Sequence, residues 1–401
     1  MNIQRSERVL ETIPVGSLGI IALPSCKNLG KRVDDYLVQW RHESANQHKD
    51  NIVFQGYEQE SYLLNAKVPR FGSGEAKGIV QESVRGRDLY LMVDVCNYSL
   101  TYSIGPYENL MSPDDHFQDL KRVIGAIGGK ARRVNVIMPY LYESRQNIRS
   151  GRESLDCATA LQELVSMGVE NIITFDAHDP RVQNAIPLIG FDNFMPTYQF
   201  VKALFSHDSN IRIDKEHLMV VSPDEGAMNR AVYLANNLGV DMGMFYKRRD
   251  YSQVIGGRNP IVAHEFLGSS VEGKTVLIID DMISSGESML DTCKELKEHK
   301  ADKVIVCCTF GLFTNGLEKF DEYYHQGYLD YVITTNLNYR TQELIDREWY
   351  LEADMSKYLA AVINSMNHDR SISASLSPTE KIQKLVQKRQ NGGYEYFQKL
   401  V

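Results

Sequence analysis

Short apolar runs rich in β-branched residues alternate with helical patterns along most of this chain, and no other feature limits the fold as strongly. The clearest runs are residues 89–95, 134–140, 171–178, 217–224, 275–281, 303–310 and 331–335. Each run is apolar throughout rather than at every second position, which indicates strands that are buried on both faces. Strands that alternate with helices predict an α/β fold with mainly parallel sheets.

A unit made of a strand, a polar turn and a helix occurs twice, in roughly residues 85–180 and again in roughly residues 218–320. We therefore predict two similar domains, each a mainly parallel sheet flanked by helices, over residues 1–195 and 196–345. Ligands bind beyond the carboxyl ends of the strands in such sheets. We expect the active site to lie between the two domains.

Three further segments fall outside this repeated unit. Residues 40–60 are polar and are expected to form a loop inserted in the first domain. Residues 346–376 are expected to hold a helix that packs back on the first domain. Residues 377–401 begin with a capping-box pattern and then place apolar residues on one helical face. They predict an amphipathic tail helix that packs either on this chain or on a neighbouring one.

Charge and cysteine content exclude several classes of protein. The chain has 44 Lys and Arg against 52 Asp and Glu, a net charge of −8, which argues against nucleic-acid and acidic-membrane partners. No apolar run approaches the roughly 20 residues of a transmembrane helix. The six cysteines lack the paired spacing of metal–thiolate sites, and Cys307 and Cys308 lie in an apolar run that predicts burial. These features indicate a reduced, cytoplasmic protein.

Residues 276–290 carry the most specific chemical signal. An apolar strand ends in two adjacent acids, and a turn rich in hydroxyl groups follows before a helix begins. The acids are Asp280 and Asp281, and the turn comprises Ser284, Ser285, Gly286, Glu287 and Ser288. Backbone N–H groups at a helix start suit a phosphate, whereas the acids suit ribose hydroxyls or Mg²⁺. The spacing predicts a site for a sugar diol and its phosphate; the alternative is an acidic strand end that only caps the helix.

This segment resembles the phosphoribosyl pyrophosphate (PRPP) loop of type I phosphoribosyltransferases and of ribose-phosphate pyrophosphokinases, the PRPP synthetases. Further motifs that resemble those of the pyrophosphokinases lie, in order, at 71–92, 109–127, 138–154, 172–178, 220–231 and 245–249. The resemblance implies two phosphoribosyltransferase-like domains and transfer of the β,γ-diphosphoryl group of MgATP to the 1-hydroxyl of ribose 5-phosphate. The products would be PRPP and AMP, for nucleotide biosynthesis. It also implies homodimers that assemble into hexamers.

The resemblance implies a role for each matching residue. Lys247 and Arg249 would stabilise charge in the transition state, and His178 and Asp224 would hold the Mg²⁺ ion. The residues implied at ATP are Phe71, Glu75, Arg145, Gln146 and His178, of which Phe71 and Glu75 would reach the adenine of a neighbouring subunit. Ser83 and Arg85 would belong to a regulatory phosphate site between subunits.

Local sequence alone leaves other interpretations open. The pair Lys247 and Arg249 also fits a solvated charged run, and His178 also fits a structural hydrogen-bonding residue. Glu287 and Ala227 replace glycines that are usual in the family. A non-catalytic paralogue that binds ribose phosphate or nucleotide is therefore the alternative function. A phosphoribosyltransferase that uses PRPP is a third candidate, but it does not account for the motifs at 71–92 and 138–154.

Overall fold

A computed structural model describes residues 12–48, 54, 56–249, 261–373 and 378–390 of the chain. Within these ranges only the backbone is described for residues 45–48, 247–249, 261–264 and 390.

The first half of the chain forms a five-stranded parallel sheet with strand order β1–β4–β7–β8–β9. Its elements are β1 (Ser17–Ala22), α1 (Lys27–His48), β2 (Ala66–Lys67), β3 (Ile79–Val80), β4 (Arg87–Met92), β5 (Thr101–Ile104), β6 (Tyr107–Leu110), α2 (Pro113–Ile127), β7 (Arg133–Ile137), α3 (Asp156–Ser166), β8 (Asn171–Phe175) and β9 (Gly190–Phe194). Strands β2 and β3, and likewise β5 and β6, pair as small antiparallel ribbons.

The second half forms a seven-stranded sheet with strand order β12–β11–β10–β13–β14–β15–β16, in which only β12 runs antiparallel to its neighbour. Its elements are α4 (Thr197–His207), β10 (Leu218–Ser222), α5 (Met228–Leu238), β11 (Asp241–Arg249), β12 (Ile261–Leu267), β13 (Thr275–Ile283), α6 (Glu287–Glu298), β14 (Lys303–Gly311), α7 (Glu318–His325), β15 (Tyr331–Thr335), α8 (Gln342–Ile345), β16 (Tyr350–Ala353), α9 (Ser356–Asn367) and α10 (Thr379–Gln390). The prediction of an α/β fold with two mainly parallel sheets is confirmed.

Local sequence explains how these elements form. Helix α2 begins at a complete capping box, in which Ser112 accepts from the backbone of Asp115 and the Asp115 carboxylate accepts in return. The helix ends at Gly128, whose φ of 59° only glycine adopts freely. Cys307 and Cys308 lie buried in β14, as expected for a strand covered on both faces. No helix among the described residues is long and apolar enough to cross a membrane.

The predicted loop over residues 40–60 is wrong in its first part, because α1 continues to His48. Arg41, in this polar stretch, is buried rather than solvated. Its guanidinium lies 4.2 Å from the ring centre of Tyr57 and 4.8 Å from that of Tyr62. It also donates to Oδ1 of Asn367 on α9 at 2.8 Å. A single arginine thus anchors α1 to α9 with a charge that the sequence pattern indicated to be exposed.

The second sheet extends further along the chain than expected. Strand β16 pairs with β15 beyond residue 345, where we placed the end of the second domain. The next helix, α9, packs along α1 of the first half. Helix α10 buries its apolar face against α4 and α5 of the same chain. Residues 374–377 and 391–401, at the two ends of the predicted tail segment, lie outside the described residues.

The carboxyl ends of the strands in one sheet face the carboxyl ends of the strands in the other. A residue that follows β4, Asp94, accepts a hydrogen bond at 2.7 Å from the N–H of Tyr339, which follows β15. Asp176 after β8 accepts at 2.6 Å from the hydroxyl of Thr309 on β14. Between these two contacts the ring of Tyr140 packs on Phe310, with the centroids 5.1 Å apart. Both halves therefore contribute strand ends to the same interface, where ligands bind in α/β proteins.

A buried ion pair holds the first sheet to α9. Asp88 on β4 is fully buried and accepts from Nε and Nη2 of Arg133, both at 2.8 Å. Asn135 and Asn367 each donate to the same carboxylate at 2.9 Å. Arg133 also reaches the exposed carboxylate of Asp369 at 3.1 Å.

We expect Asp88→Ala to lower the free energy of unfolding by about 3–5 kcal/mol, because it leaves the Arg133 guanidinium without its buried partner. Asp369→Ala is the matched control, since it removes a carboxylate that is 71% exposed from the same arginine. This control should change stability by less than about 1 kcal/mol. Urea denaturation of both variants checks the prediction, and equal losses would contradict it.

Candidate active site

A cavity of about 520 Å³ lies where the carboxyl ends of β7 and β8 face those of β10 and β13. Its lining residues come from both halves of the chain. They are Arg145, His178, Pro223, Asp224, Glu225, Gly226, Arg230, Asp280, Asp281, Met282, Ser284, Ser285, Gly286, Ser288 and Met289. The structure therefore brings together most of the residues that the sequence assigned to ribose phosphate and metal binding.

The turn between β13 and α6 has the geometry of an anion site. Gly286 ends the turn with a φ of 83°, and a Cβ atom there would lie 2.3 Å from the Phe320 ring. Only glycine fits this position. The N–H of Thr314 donates to the carbonyl of Ser284 at 3.0 Å and so fixes the turn from behind. The first backbone N–H groups of α6 have no partner within the helix, which makes this end of the helix suited to an anion.

We predicted Glu287 among the residues that bind ribose 5-phosphate, but the structure places its side chain elsewhere. Its side chain does not line the cavity but pairs with Nζ of Lys319 on α7 at 2.7 Å, on the exposed surface. This hydrogen bond and the charge of Lys319 lower the pKa of Glu287. The extra carboxylate is neutralised away from the cavity, so it does not repel an anion in the turn.

A network of charged side chains lies beside the cavity, in which Asp176 and Asp281 are buried and His178 is 43% exposed. Nδ1 of His178 donates to Oδ2 of Asp281 at 2.6 Å. Nη2 of Arg230 on α5 lies 3.6 Å from the same oxygen, while its Nε donates to Asp176 at 2.6 Å. Asp176 has a φ of 42°, which is strained for a non-glycine residue, and Thr309 donates to its second oxygen. The cluster links β8, α5, β13 and β14.

Sequence reasoning missed Asp176 and Arg230 as site residues. Asp176 lies two residues before His178, and Arg230 lies in the segment 220–231, so both fell inside motifs that we quoted. Their ion pair joins residues 54 positions apart along the chain. Their positions in these motifs could have identified each residue as a candidate site residue. Only the folded structure shows that the two pair.

The pKa values of the two neighbouring acids on β13 are shifted in opposite directions. Burial, followed by the charges of Asp281 and Asp224, raises the pKa of Asp280 well above its ordinary value. Burial acts on Asp281 in the same direction, but the hydrogen bond from His178 and the charge of Arg230 keep its pKa lowered. The hydrogen bond with Asp281 raises the pKa of His178. The hydrogen bond between His178 and Asp281 thus shifts both of their pKa values, upward for the imidazole and downward for the carboxyl group.

Two other predicted ATP residues, Arg145 and Gln146, differ in whether they line the cavity. Arg145 lines the cavity, whereas Gln146 does not and donates to the carbonyl of Ser154 at 2.6 Å. An adjoining cavity of about 700 Å³ shares His178, Gly226 and Arg230 with it. Its wall includes Asn147, next to Gln146. The two cavities together form one cleft.

Phe71, Glu75, Ser83 and Arg85 do not reach this cleft. Phe71 is 51% exposed, and its N–H donates to the carbonyl of Glu75 at 2.7 Å across a turn between β2 and β3. Ser83 and Arg85 are exposed in the loop before β4. None of the four lines either cavity of the cleft, and their roles at a ligand stay predictions.

Lys247 and Arg249 lie at the end of β11, next to β10 and its Asp224 turn. Their backbone pairs with His264 and Ile261 of β12. Their side chains, and residues 250–260 that follow, lie outside the described residues. Their catalytic role stays a prediction.

The donor set fits a Mg²⁺ ion that binds together with phosphates. No three His, Cys, Asp or Glu side chains cluster as a ready-made metal site in the part of the chain that is described. Mg²⁺ is instead usually held by one or two carboxylates plus substrate phosphates and water. Asp224 and Asp280 both line the cavity. Oδ1 of Asp224 already accepts from the N–H of Gly226 at 2.9 Å, which orients the carboxylate.

Comparison with known proteins covers most of the chain. The sequence model for the N-terminal domain of ribose phosphate pyrophosphokinase matches residues 18–168, and that for the phosphoribosyl transferase domain matches residues 198–341. The ribose-phosphate pyrophosphokinase of Marinomonas sp. is 28% identical over 77% of this chain and 90% of its own length. That of Vibrio cholerae is 28% identical over 78% of this chain and 91% of its own length.

A solved structure matches the fold at similar length. The phosphoribosylpyrophosphate synthetase from Mycobacterium smegmatis superposes with a TM-score of 0.67 and 21% identity, over 88% of this chain and 99% of its own. At this identity the likeness establishes the fold alone.

We expect Gly286→Ala to destabilise the protein more than Gly273→Ala. Both glycines have positive φ, but a Cβ at Gly273 meets nothing within 4 Å. The control should lose about 1–2 kcal/mol through backbone strain alone. The contact with Phe320 should cost Gly286→Ala about 1–3 kcal/mol more. Chemical denaturation of both variants checks this, and equal losses would contradict the packing argument.

The pKa of His178 in the ligand-free protein should lie above the ordinary value of about 6.5 because of Asp281. In Asp281→Asn only the opposing effects remain, namely burial and the charges of Arg230 and Arg145, so the pKa should fall below about 6.5. Imidazole ¹H–¹⁵N spectra across a pH titration measure both values. His116, whose pKa burial lowers, is the internal control and should not move. An unchanged His178 titration would show that the pair does not form.

Proposed function

We infer the activity of this chain from its family: it belongs to the ribose-phosphate pyrophosphokinases, and we propose that it transfers the β,γ-diphosphoryl group of ATP to the 1-hydroxyl of ribose 5-phosphate. One observation supports this above the others. A phosphate-type turn, a pair of acids and a His–Asp–Arg cluster from both halves of the chain share one cavity of about 520 Å³. A site for one ligand alone would not need both sheet edges.

Ribose 5-phosphate would bind in the β13–α6 segment. Its phosphate would accept from backbone N–H groups at the start of α6 and from the hydroxyls of Ser284, Ser285 and Ser288, which line the cavity. Asp280 and Asp281 would accept from the ribose hydroxyls. This separation places the acids away from the phosphate, because like charges repel. Glu287 takes part only through its backbone, since its carboxylate pairs with Lys319.

ATP would enter from the adjoining cavity of about 700 Å³. Arg145 would contact its phosphates, with Gln146 beside it. Asp224 and Nε2 of His178 would hold Mg²⁺, because Nδ1 of His178 is engaged by Asp281. The ion would neutralise charge on the phosphate oxygens.

In the transfer, the 1-hydroxyl oxygen of ribose 5-phosphate forms a bond to the β-phosphorus of ATP and its proton passes to water. The bond from that phosphorus to the oxygen bridging the α-phosphate breaks, and AMP leaves with that oxygen. The main tasks of the protein are to align the two substrates and to neutralise the charge of the moving group. We assign charge neutralisation to Lys247 and Arg249. Arg230 acts as a positioning residue, since it holds Asp176 and Asp281 in place.

A homo-oligomer fits the residues that lie away from the cleft. We propose that Phe71 and Glu75 complete the adenine site of a neighbouring subunit and that Ser83 and Arg85 contribute to a regulatory phosphate site between subunits. Their exposure in the single chain is consistent with this. We propose dimers that assemble into hexamers, and sedimentation velocity of the purified protein tests it.

Release of AMP from ATP and Mg²⁺, with and without ribose 5-phosphate, tests the activity. Formation of AMP and PRPP in equal amounts, only when ribose 5-phosphate is present, would support the proposal. Neither product, together with a rise in melting temperature on addition of ATP or ribose 5-phosphate, would favour the non-catalytic paralogue instead.

Lys247→Ala should lower kcat by roughly 10²-fold or more, because a charge contact made in the transition state is lost. The dissociation constant for ribose 5-phosphate should change little, because that contact is absent in the ground state. Arg248→Ala is the matched control, one residue away with the same loss of charge, and should retain activity within a few-fold. Steady-state kinetics and calorimetric binding measure both effects. Near wild-type kcat in Lys247→Ala would remove this residue from the mechanism.

A further inference from the structure

A separate cavity of about 530 Å³ lies at the other end of the interface between the two sheets. It is as large as the cavity at the phosphate-type turn. Its walls come from the segments that follow β1, β4 and β15, together with Glu352 on β16. It therefore occupies the same kind of position as the active site, at the carboxyl ends of strands from both halves.

The middle of the interface separates this second cavity from the active site. The Tyr140 ring packs edge-on against Phe310, and its hydroxyl lies 3.8 Å from the sulfur of Met282. None of the residues that line the second cavity also lines either part of the active-site cleft. The two sites are distinct.

The second cavity contains a buried arginine that is incompletely paired. The Arg340 side chain is only 13% exposed and contacts the Glu352 carboxylate through Nη1. Its Nε is buried and has no acceptor among the described residues. Burial lowers the pKa of Arg340, since the charged form is costly there. Arg32 donates to the other oxygen of Glu352 at 3.0 Å, so two guanidinium groups share one carboxylate.

Other groups around the cavity favour an anion. Lys27 is exposed at its mouth and is the third cationic side chain of the lining. The one further acid, Asp94, already accepts from the N–H of Cys96 at 3.0 Å and of Tyr339 at 2.7 Å. Three cationic side chains and two carboxylates thus line the cavity, and Arg32 also pairs with Asp354, outside the lining, at 2.9 Å.

Part of the cavity wall is apolar. Leu29, Leu337 and Leu100 line it, and Ile345 on α8 lies at the rim with 42% of its surface exposed. A bare ion would leave this wall without a contact. Pockets of this size, with few polar groups and an apolar wall, usually hold organic ligands.

We propose that this second cavity binds a small phosphate-bearing molecule, whose phosphoryl group pairs with Lys27, Arg32 and Arg340. An organic part of the ligand lies along the leucine wall. Because the cavity is lined by both halves of the chain, the bound ligand also ties them together at the end opposite to the active site. This site is independent of the proposed catalytic activity.

Hydrogen exchange of the full chain, with inorganic phosphate and with AMP as probes, tests the proposal. Either probe should protect the backbone of residues 24–29 and 336–342, in addition to residues 284–290 at the phosphate-type turn. Lys27→Ala should raise the probe concentration needed to protect 24–29 and 336–342 by roughly tenfold or more, since a charged hydrogen bond is lost. Asn28→Trp, which adds bulk at the exposed mouth, should abolish that protection. Both variants should retain protection at 284–290.

Lys31→Ala, one turn further along α1 and outside the cavity lining, is the control and should behave as wild type. Protection by AMP at a lower concentration than by phosphate would identify an organic ester as the ligand, and equal concentrations would identify free phosphate; both outcomes support a phosphoryl site. No protection of 24–29 and 336–342 by either probe would overturn the proposal. So would protection that is unchanged in Lys27→Ala and Asn28→Trp, because it would then spread indirectly from the active site.

Discussion

The guanidinium of Arg230 is the contact on which the architecture of the active site depends. It is 90% buried, and it lies between Asp176 from the first half of the chain and Asp281 from the second. A buried charge of this kind is tolerated only when its partners are held in place. The pairing therefore requires the carboxyl ends of both sheets to face each other, and this requirement creates the cleft in which two substrates can meet.

The same constraint sets the charge of the cleft. Burial and the charges of Asp281 and Asp224 raise the pKa of Asp280, whereas the hydrogen bond from His178 and the charge of Arg230 keep the pKa of Asp281 lowered. On the opposite side of the β13–α6 turn, Lys319 neutralises Glu287, which allows an acidic residue in a phosphate-binding turn.

Some polar residues outside the cleft are buried and stabilise the fold, although the hydrophobic pattern of the sequence assigns them to the surface. Arg41 lies in a polar stretch that indicated a loop, yet it is buried between two tyrosine rings and anchors α1 to α9. Asp94 is buried where the two halves meet, and burial raises its pKa to about 7. Hydrophobic periodicity assigns such residues to the surface, because it cannot register partners that lie hundreds of positions away.

The sequence by itself determined the two mainly parallel sheets and the family, and it predicted a local site in the β13–α6 segment, because each depends on residues close together in the chain. Continuous apolar runs define buried strands, and the order Asp280, Asp281, Ser284 and Gly286 predicts a phosphate turn. Only the tertiary structure decided which distant charges pair, as in Arg230 with Asp176. It also created the cleft at one end of the interface and the separate cavity of about 530 Å³ at the other. Both are consequences of how the sheets meet, and that depends on long-range packing, which no local pattern encodes.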